Sequence, residues 1–355
     1  MAHELILVSQ AEYQHDALTI AAIQDLNRAG QPEIDKSIRI FREGVLPLGI
    51  CRPLGEADRP LADYEGFMFR ALSYGTGHHQ LAAKVENVMI AHKYGMPVID
   101  VAGPSRSHSG VFSVGSVQGW YKMSADQRDD ASLALFAENN RHIIDAVNTL
   151  RARQALPGKV RMFGESMGTP VAVSLAPLLS DDHDVLSVAG HAMPPIVARE
   201  VYSEMFKRDF IHSGDEPGGI WARLTEGEVP FEPYVTARRM SLTKPVGKWQ
   251  DTKNIASYLF KDMIGPNKTH FRRNEGFARA LSRPVGRFMV DTALARGTPI
   301  AFSFGSKDPV ARPEDAAEHF DGIVDDNFKM YVYPGDHTLC DSPYVMADLI
   351  QHSIC

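Results

Sequence analysis

The chain has 355 residues, 44% of them hydrophobic and 23% charged. That composition is ordinary for a globular protein and argues against wholesale disorder; the length fits one large domain with an insertion better than three domains. A net charge of −7, with local basic pairs such as Arg238–Arg239 and Arg272–Arg273 but no basic stripe, makes nucleic acid a poor partner, because phosphate binding needs clustered Lys and Arg.

Cys51, Cys340 and Cys355 are odd in number and far apart, which argues against a zinc site and against a secreted disulfide framework. Near the start, Leu5-Ile6-Leu7-Val8 is apolar, but no basic region precedes it and it is too short for a signal segment. No stretch approaches the roughly 18 apolar residues that span a bilayer. The expectation is a cytoplasmic protein with no membrane span.

In chain order, Ala17 to Ala29 reads as a helix ended by Gly30-Gln31-Pro32, and the role of residues 1–37 as an N-terminal extension is not readable. From residue 38, short β-branched or aromatic runs alternate with helical patterns. The runs are Ile38–Phe41, Phe67–Ser73, Val98–Val101, Val160–Phe163, Val185–Ala189, Ile300–Phe304 and Phe328–Tyr333. Several are apolar at both parities, as strands of a parallel sheet buried on both faces are. Between them Leu81, Val85, Val88 and Met89 recur at helical spacing before Gly95 and Pro97. Leu133, Phe136, Ile143, Ile144, Val147 and Leu150 do the same before Pro157-Gly158. Such alternation predicts an α/β fold with helices on both faces of a mostly parallel sheet. It lapses over 194–282, where aromatic, charged, Pro and Gly residues mix. This segment reads as a mostly helical cap, which leaves 38–193 and 283–355 as the core.

One constellation carries chemistry. Gly164-Glu165-Ser166-Met167-Gly168 sits between the run Val160–Phe163 and the helical pattern that begins at Thr169. Strand, G-x-S-x-G and helix together form the context of a nucleophile elbow. Its glycines remove Cβ atoms that would collide, and the helix N-terminus aims N–H groups at the reaction centre. Asp308 follows the run Ile300–Phe304, and His337 follows Phe328–Tyr333. Residues just past the C-terminal ends of strands are where open parallel sheets place their function. Simpler readings stand beside these: Ser166 as a helix N-cap, Asp308 as a turn residue before Pro309, His337 as a surface-loop histidine, and Asp336 as a rival acid.

With its order Ser166, Asp308, His337, the chain resembles the capped esterases, lipases and peptidases of α/β-hydrolase fold over about residues 38–355, the cap excluded. The resemblance implies a Ser166 nucleophile, a His337 base and an Asp308 acid that orients the base. It places the second oxyanion donor in the loop Ser73-Tyr74-Gly75-Thr76-Gly77-His78-His79, where Tyr74 stands in place of the family's usual His. The backbone N–H groups of Met167 and Thr76 are the expected donors; Gly75, His78 and Glu165 are the expected substrate-binding residues.

No cofactor is expected. His78-His79 has no carboxylate or further His at ligand spacing, so no metal is expected either. His108 and His191 could line a pocket, but each reads more simply as a structural histidine. The functional reading is ester hydrolysis on a small acyl substrate, with acyl transfer, thioester or amide cleavage by the same triad as the alternative. A non-catalytic binding protein on the same fold comes third. Oligomeric state stays open, a homo-oligomer included.

Overall fold

The computed structural model describes residues 4–43, 46–72, 81–102, 123–192, 229, 231–233, 284–308, 311–335 and 342–354. Apart from 229 and 231–233, the cap expected over 194–282 lies outside these residues, and so do Ser73 to His79, His108 and His337.

Among the described residues nine strands form one sheet: β1 (Leu5–Leu7), β2 (Ile38–Phe41), β3 (Leu48–Cys51), β4 (Gly66–Ala71), β5 (Val98–Val101), β6 (Lys159–Glu165), β7 (Asp184–His191), β8 (Ile300–Gly305) and β9 (Phe328–Tyr333). Their order is β1-β9-β8-β7-β6-β4-β5-β3-β2. Only β3 runs against its neighbours, pairing antiparallel with both β2 and β5. From β5 the chain crosses back over β4 to start β6, so the strand order reverses between β4 and β6. Such a switch point opens a crevice at the C-terminal ends of the two strands. This order, with its single antiparallel strand, is the α/β-hydrolase fold.

Eight helices are described. They are α1 (Gln10–Gln14), α2 (Ala17–Lys36), α3 (Leu81–Tyr94), α4 (Ala125–Gln154), α5 (Gly168–Leu179), α6 (Pro284–Ala295), α7 (Pro313–His319) and α8 (Pro343–Ile354). Strand side chains alternate between two hydrophobic cores, as the pleat requires. Phe67, Phe69, Ile99, Met162, Val188, Phe302 and Met330 pack with α4, α5, α6 and α7. Met68, Val98, Phe163, Ala189, Ala301 and Tyr333 point the other way and pack with α1, α2, α3 and α8. The sheet is thus buried on both faces, and its strands carry apolar residues at both parities.

Three local differences from the sequence reading have physical causes. The helix expected to end at Gly30 breaks there, with Gly30 at φ 71, but the chain resumes its helical course and runs on to Lys36. Pro32 lies at the start of that second stretch, where a missing N–H costs little. β3 was not read as a strand because Leu48-Gly49-Ile50-Cys51 is short and follows Pro47. The apolar run at the N-terminus is β1, paired parallel with β9 through Leu5–Met330, Ile6–Tyr331 and Leu7–Val332. Residues 5–7 therefore extend the same sheet. Of the segment 229–233, Phe231 is buried in the core formed with α2, α3 and α8, and Tyr344 Oη donates to Val229 O at 2.7 Å.

Candidate active site

Ser166 follows β6 directly, and Met167 separates it from α5. Its φ is 47°, one of three positive values outside glycine among the described residues. A left-handed conformation in a non-glycine residue is costly and survives only where the surroundings impose it. Three bonds impose it here. Ser166 N–H donates to His191 O at 2.7 Å, tying the turn to the end of β7; Thr169 N–H donates to Ser166 O at 3.0 Å; and Thr169 Oγ1 donates to His191 O at 3.0 Å. Ser166 stays partly exposed while residues 162–165 and 167–170 are buried. The turn thus lifts one serine out of a buried segment at the switch point between β4 and β6.

Glycine makes the crossing of β6 and α5 possible. A Cβ on Gly164 would lie 2.4 Å from Thr169 Cα, and one on Gly168 would lie 2.1 Å from Ala71 O at the end of β4. Neither backbone atom can swing aside. The N-cap of α5 is Met167 in αR geometry with no side-chain cap bond. Ser166 is therefore not the helix N-cap, which removes the simpler reading of it. Met167 and Gly168 open the helix, where the first N–H groups have no partner within the helix and the dipole favours negative charge.

Asp308 follows β8 and is 2% exposed. Its Oδ1 accepts from Ala311 N–H at 2.9 Å, and its own N–H donates to Gly305 O at 3.0 Å. It is at once a turn residue and a buried carboxylate at the C-terminal edge of the sheet. The same turn holds the end of the following strand. Ser306 N–H donates to Tyr333 O at 2.8 Å, and Lys307 N–H donates to Gly335 O at 2.7 Å.

Among the expected site residues, Ser166, Met167, Glu165 and Asp308 are described and lie at the C-terminal ends of β6 and β8. His337, Gly75, Thr76 and His78 lie outside the described residues. Glu165, expected at the substrate, is 4% exposed, and its carboxylate accepts from Arg70 Nε at 2.7 Å and from Arg70 Nη2. It shares the Arg70 guanidinium with Glu86 of α3. His191 is buried, with Nδ1 2.7 Å from Ser303 Oγ, and belongs to the interior. Among the described residues no group of three or more His, Cys, Asp and Glu is arranged to hold a metal, and no helix is long and apolar enough to cross a membrane.

Sequence reasoning passed over a buried polar group next to the elbow. Arg70 is 1% exposed, next to the last residue of β4. Besides Glu165, its guanidinium donates to Glu86 Oε2 at 2.7 Å and to Asn87 Oδ1 at 2.5 Å, both on α3. Asn87 Nδ2 in turn donates to Asp100 Oδ2 on β5 at 2.7 Å. Burial pushes the Asp100 carboxyl up to about 6, against the pull of the Arg70 and Lys84 charges. Burial alone would lower the Arg70 pKa, but the Glu165 and Glu86 carboxylates reverse that and hold its charge firmly. The available signal was a charged residue inside an apolar run, as in Phe69-Arg70-Ala71 and Ile99-Asp100-Val101.

No family model and no curated protein matches the chain. Among solved structures it is similar to a thioesterase domain from the curacin biosynthetic pathway, at 17% identity over 88% of this chain and 98% of that one (TM-score 0.46). It is also similar to an esterase of Pyrococcus furiosus, at 12% identity over 92% and 95% (TM-score 0.48). A membrane phospholipase A described as a bacterial virulence factor is 12% identical over 95% and 91% (TM-score 0.48). The fold assignment rests on the strand order and the elbow of this chain itself.

Proposed function

We propose that the protein is a serine hydrolase that cleaves a carboxylic ester or related acyl bond of a small substrate. Ser166 Oγ attacks the carbonyl carbon, and His337 takes the serine proton and returns it to the leaving group. Asp308 holds the imidazole in the correct tautomer, and water releases the acyl group in the second half-reaction. The backbone N–H groups of Met167 and Thr76 receive the oxyanion, a contribution of about 2.7–4 kcal/mol per donor in comparable sites. Gly75 and His78 flank the acyl group.

The observation that carries this reading is the strained, partly exposed Ser166 at the start of α5, at the switch point of the sheet. The turn around Asp308 supports it. Lys307 N–H is bonded to Gly335 O, and two residues of chain from Gly335 span at most about 7 Å. His337 follows Gly335 by two positions in the sequence.

Intact-mass analysis after treatment with a fluorophosphonate tests the assignment. Wild type is expected to gain one adduct, while Ser166→Ala and His337→Ala gain none on the same timescale. Turnover of a short-chain p-nitrophenyl ester is expected to fall at least 10³-fold in both variants, in line with triad removals elsewhere. Adduct formation in folded Ser166→Ala would sink the proposal.

A further inference from the structure

Arg70 has no role in the chemistry above, yet it is among the largest fully buried side chains among the described residues. A buried guanidinium is expensive unless every donor is matched. Here the match is made mostly with residues of α3 and with one residue of the elbow. The elbow residue is Glu165, one position before the strained serine. Its carboxylate receives two donors of the Arg70 fork, Nε and Nη2. Both meet the single oxygen Oε1, which fixes that oxygen against the plane of the guanidinium.

The placement has consequences for Ser166. Arg70 stands opposite Phe163, and Ala71 stands opposite Gly164, in the parallel register of β4 and β6. The chain around Ser166 is therefore confined on both sides of the serine. After the serine, Gly168 passes so close to Ala71 O that no side chain would fit; before it, the Glu165 carboxylate is bonded to Arg70. Glu86 and Asn87 hold the far end of the guanidinium, and Asn87 leads on to Asp100. Gly49 on β3 leaves room for that carboxyl, since a Cβ there would lie 2.4 Å from Asp100 Oδ2. Residues of β3, β4, β5 and α3 thus form one packed group around Arg70, which reaches the nucleophile's segment through Glu165.

We infer that Arg70 is a positioning residue for Ser166: its buried fork holds the Glu165 carboxylate and so keeps the elbow in the left-handed conformation that presents Oγ. The inference rests on the reading of Ser166 as nucleophile. It gives Glu165 an inward, orienting task in place of contact with substrate. Arg70 touches no reacting atom, so its loss slows the attack without weakening the docking of substrate. A displacement of about 1 Å at a nucleophile is enough for such a loss.

The test measures the second-order rate of fluorophosphonate labelling at Ser166, together with kcat and KM for a short-chain p-nitrophenyl ester. Arg70→Lys keeps the charge but loses the fork; Glu165→Gln keeps the shape but loses the charge. Both are expected to label at least tenfold more slowly than wild type, with kcat lowered in step and KM within twofold. Labelling of either folded variant at the wild-type rate overturns the inference, and so does a raised KM with unchanged kcat, which would return Glu165 to the substrate. Should the single variants not fold, Arg70→Met/Glu86→Gln/Asp100→Asn/Glu165→Gln removes the guanidinium together with its three buried carboxyls; wild-type labelling of that folded quadruple variant also overturns it. Failure of the nucleophile reading looks different, because then wild type itself acquires no label at Ser166.

Discussion

At Gly168 an added methyl group would stand 2.1 Å from the carbonyl oxygen of Ala71. To relieve that contact, α5 would have to lift off β4 and carry Ser166 with it. Gly168→Ala is therefore expected to cost about 3 kcal/mol of stability by urea denaturation and to abolish labelling of the serine in whatever protein folds. Near-wild-type stability would mean that the elbow is held less tightly than the contact implies. At this scale the sequence announced Ser166, because G-x-S-x-G marks a tight turn in one dimension. It also pointed to Asp308, which does sit buried just past β8. It did not announce the direction of Glu165. A residue adjacent to the serine can face either side of the sheet, and only the partner on β4 decides which.

Helix α2 shows how an element is held by its ends. Asp16 caps it, accepting from Thr19 N–H at 2.8 Å and from Lys93 Nζ of α3 at 3.0 Å. The Lys93 side chain is only 2% exposed. Asp16→Ala removes the cap, at about 1 kcal/mol, and leaves a buried ammonium with fewer acceptors, at about 1–2 kcal/mol more. A total near 2–3 kcal/mol is expected in urea melts, with Asp16→Asn recovering the capping share. Equal losses in the two variants would place the whole effect on the charge. The hydrogen bonds to Thr19 and Lys93 hold the Asp16 carboxyl below its usual value, outweighing a larger opposing push from partial burial. This share of stability is therefore present above the unfolded pKa and is lost as the solution is acidified below it. Much of the element pattern was legible, since long amphipathic helices and doubly buried strands have strong periods. The resumption of α2 after Gly30 and the short strand β3 were not. A glycine kink does not forbid a new helical turn, and four residues hold too little pattern to stand out.

Across the whole molecule, one face of the sheet hides a row of charge between apolar layers. Arg70 is enclosed by Glu86 and Glu165, and Asp100 lies beyond Asn87 with Lys84 contributing from α3. Burial, which outweighs the pull of the Arg70 and Lys84 charges and of the Asn87 hydrogen bond, makes Asp100 hold its proton up to about pH 6. The folded state then binds more protons than the unfolded chain between about pH 4 and 6. Stability attributable to Asp100 falls as the pH rises through that window and does not return above it. A displacement of about two pKa units corresponds to about 3 kcal/mol. Asp100→Asn should therefore gain on wild type by about that amount between pH 4 and pH 7, in urea titrations at each pH. A stability difference that does not change with pH would show that the Asp100 charge is matched in both protonation states.

By itself the sequence determined the class of fold, the strand and helix alternation, and the positions of a serine, an aspartate and a histidine past the ends of strands. These are properties of local period and spacing, which a chain carries whether or not it is folded. Only the tertiary structure decided that β1 closes one edge of the sheet beside β9, that β3 runs against its neighbours, and that Arg70 meets Glu165 across 95 positions of chain. Those outcomes depend on which distant groups are desolvated together. A buried charge accepts only the partner that the packing of the sheet brings to it.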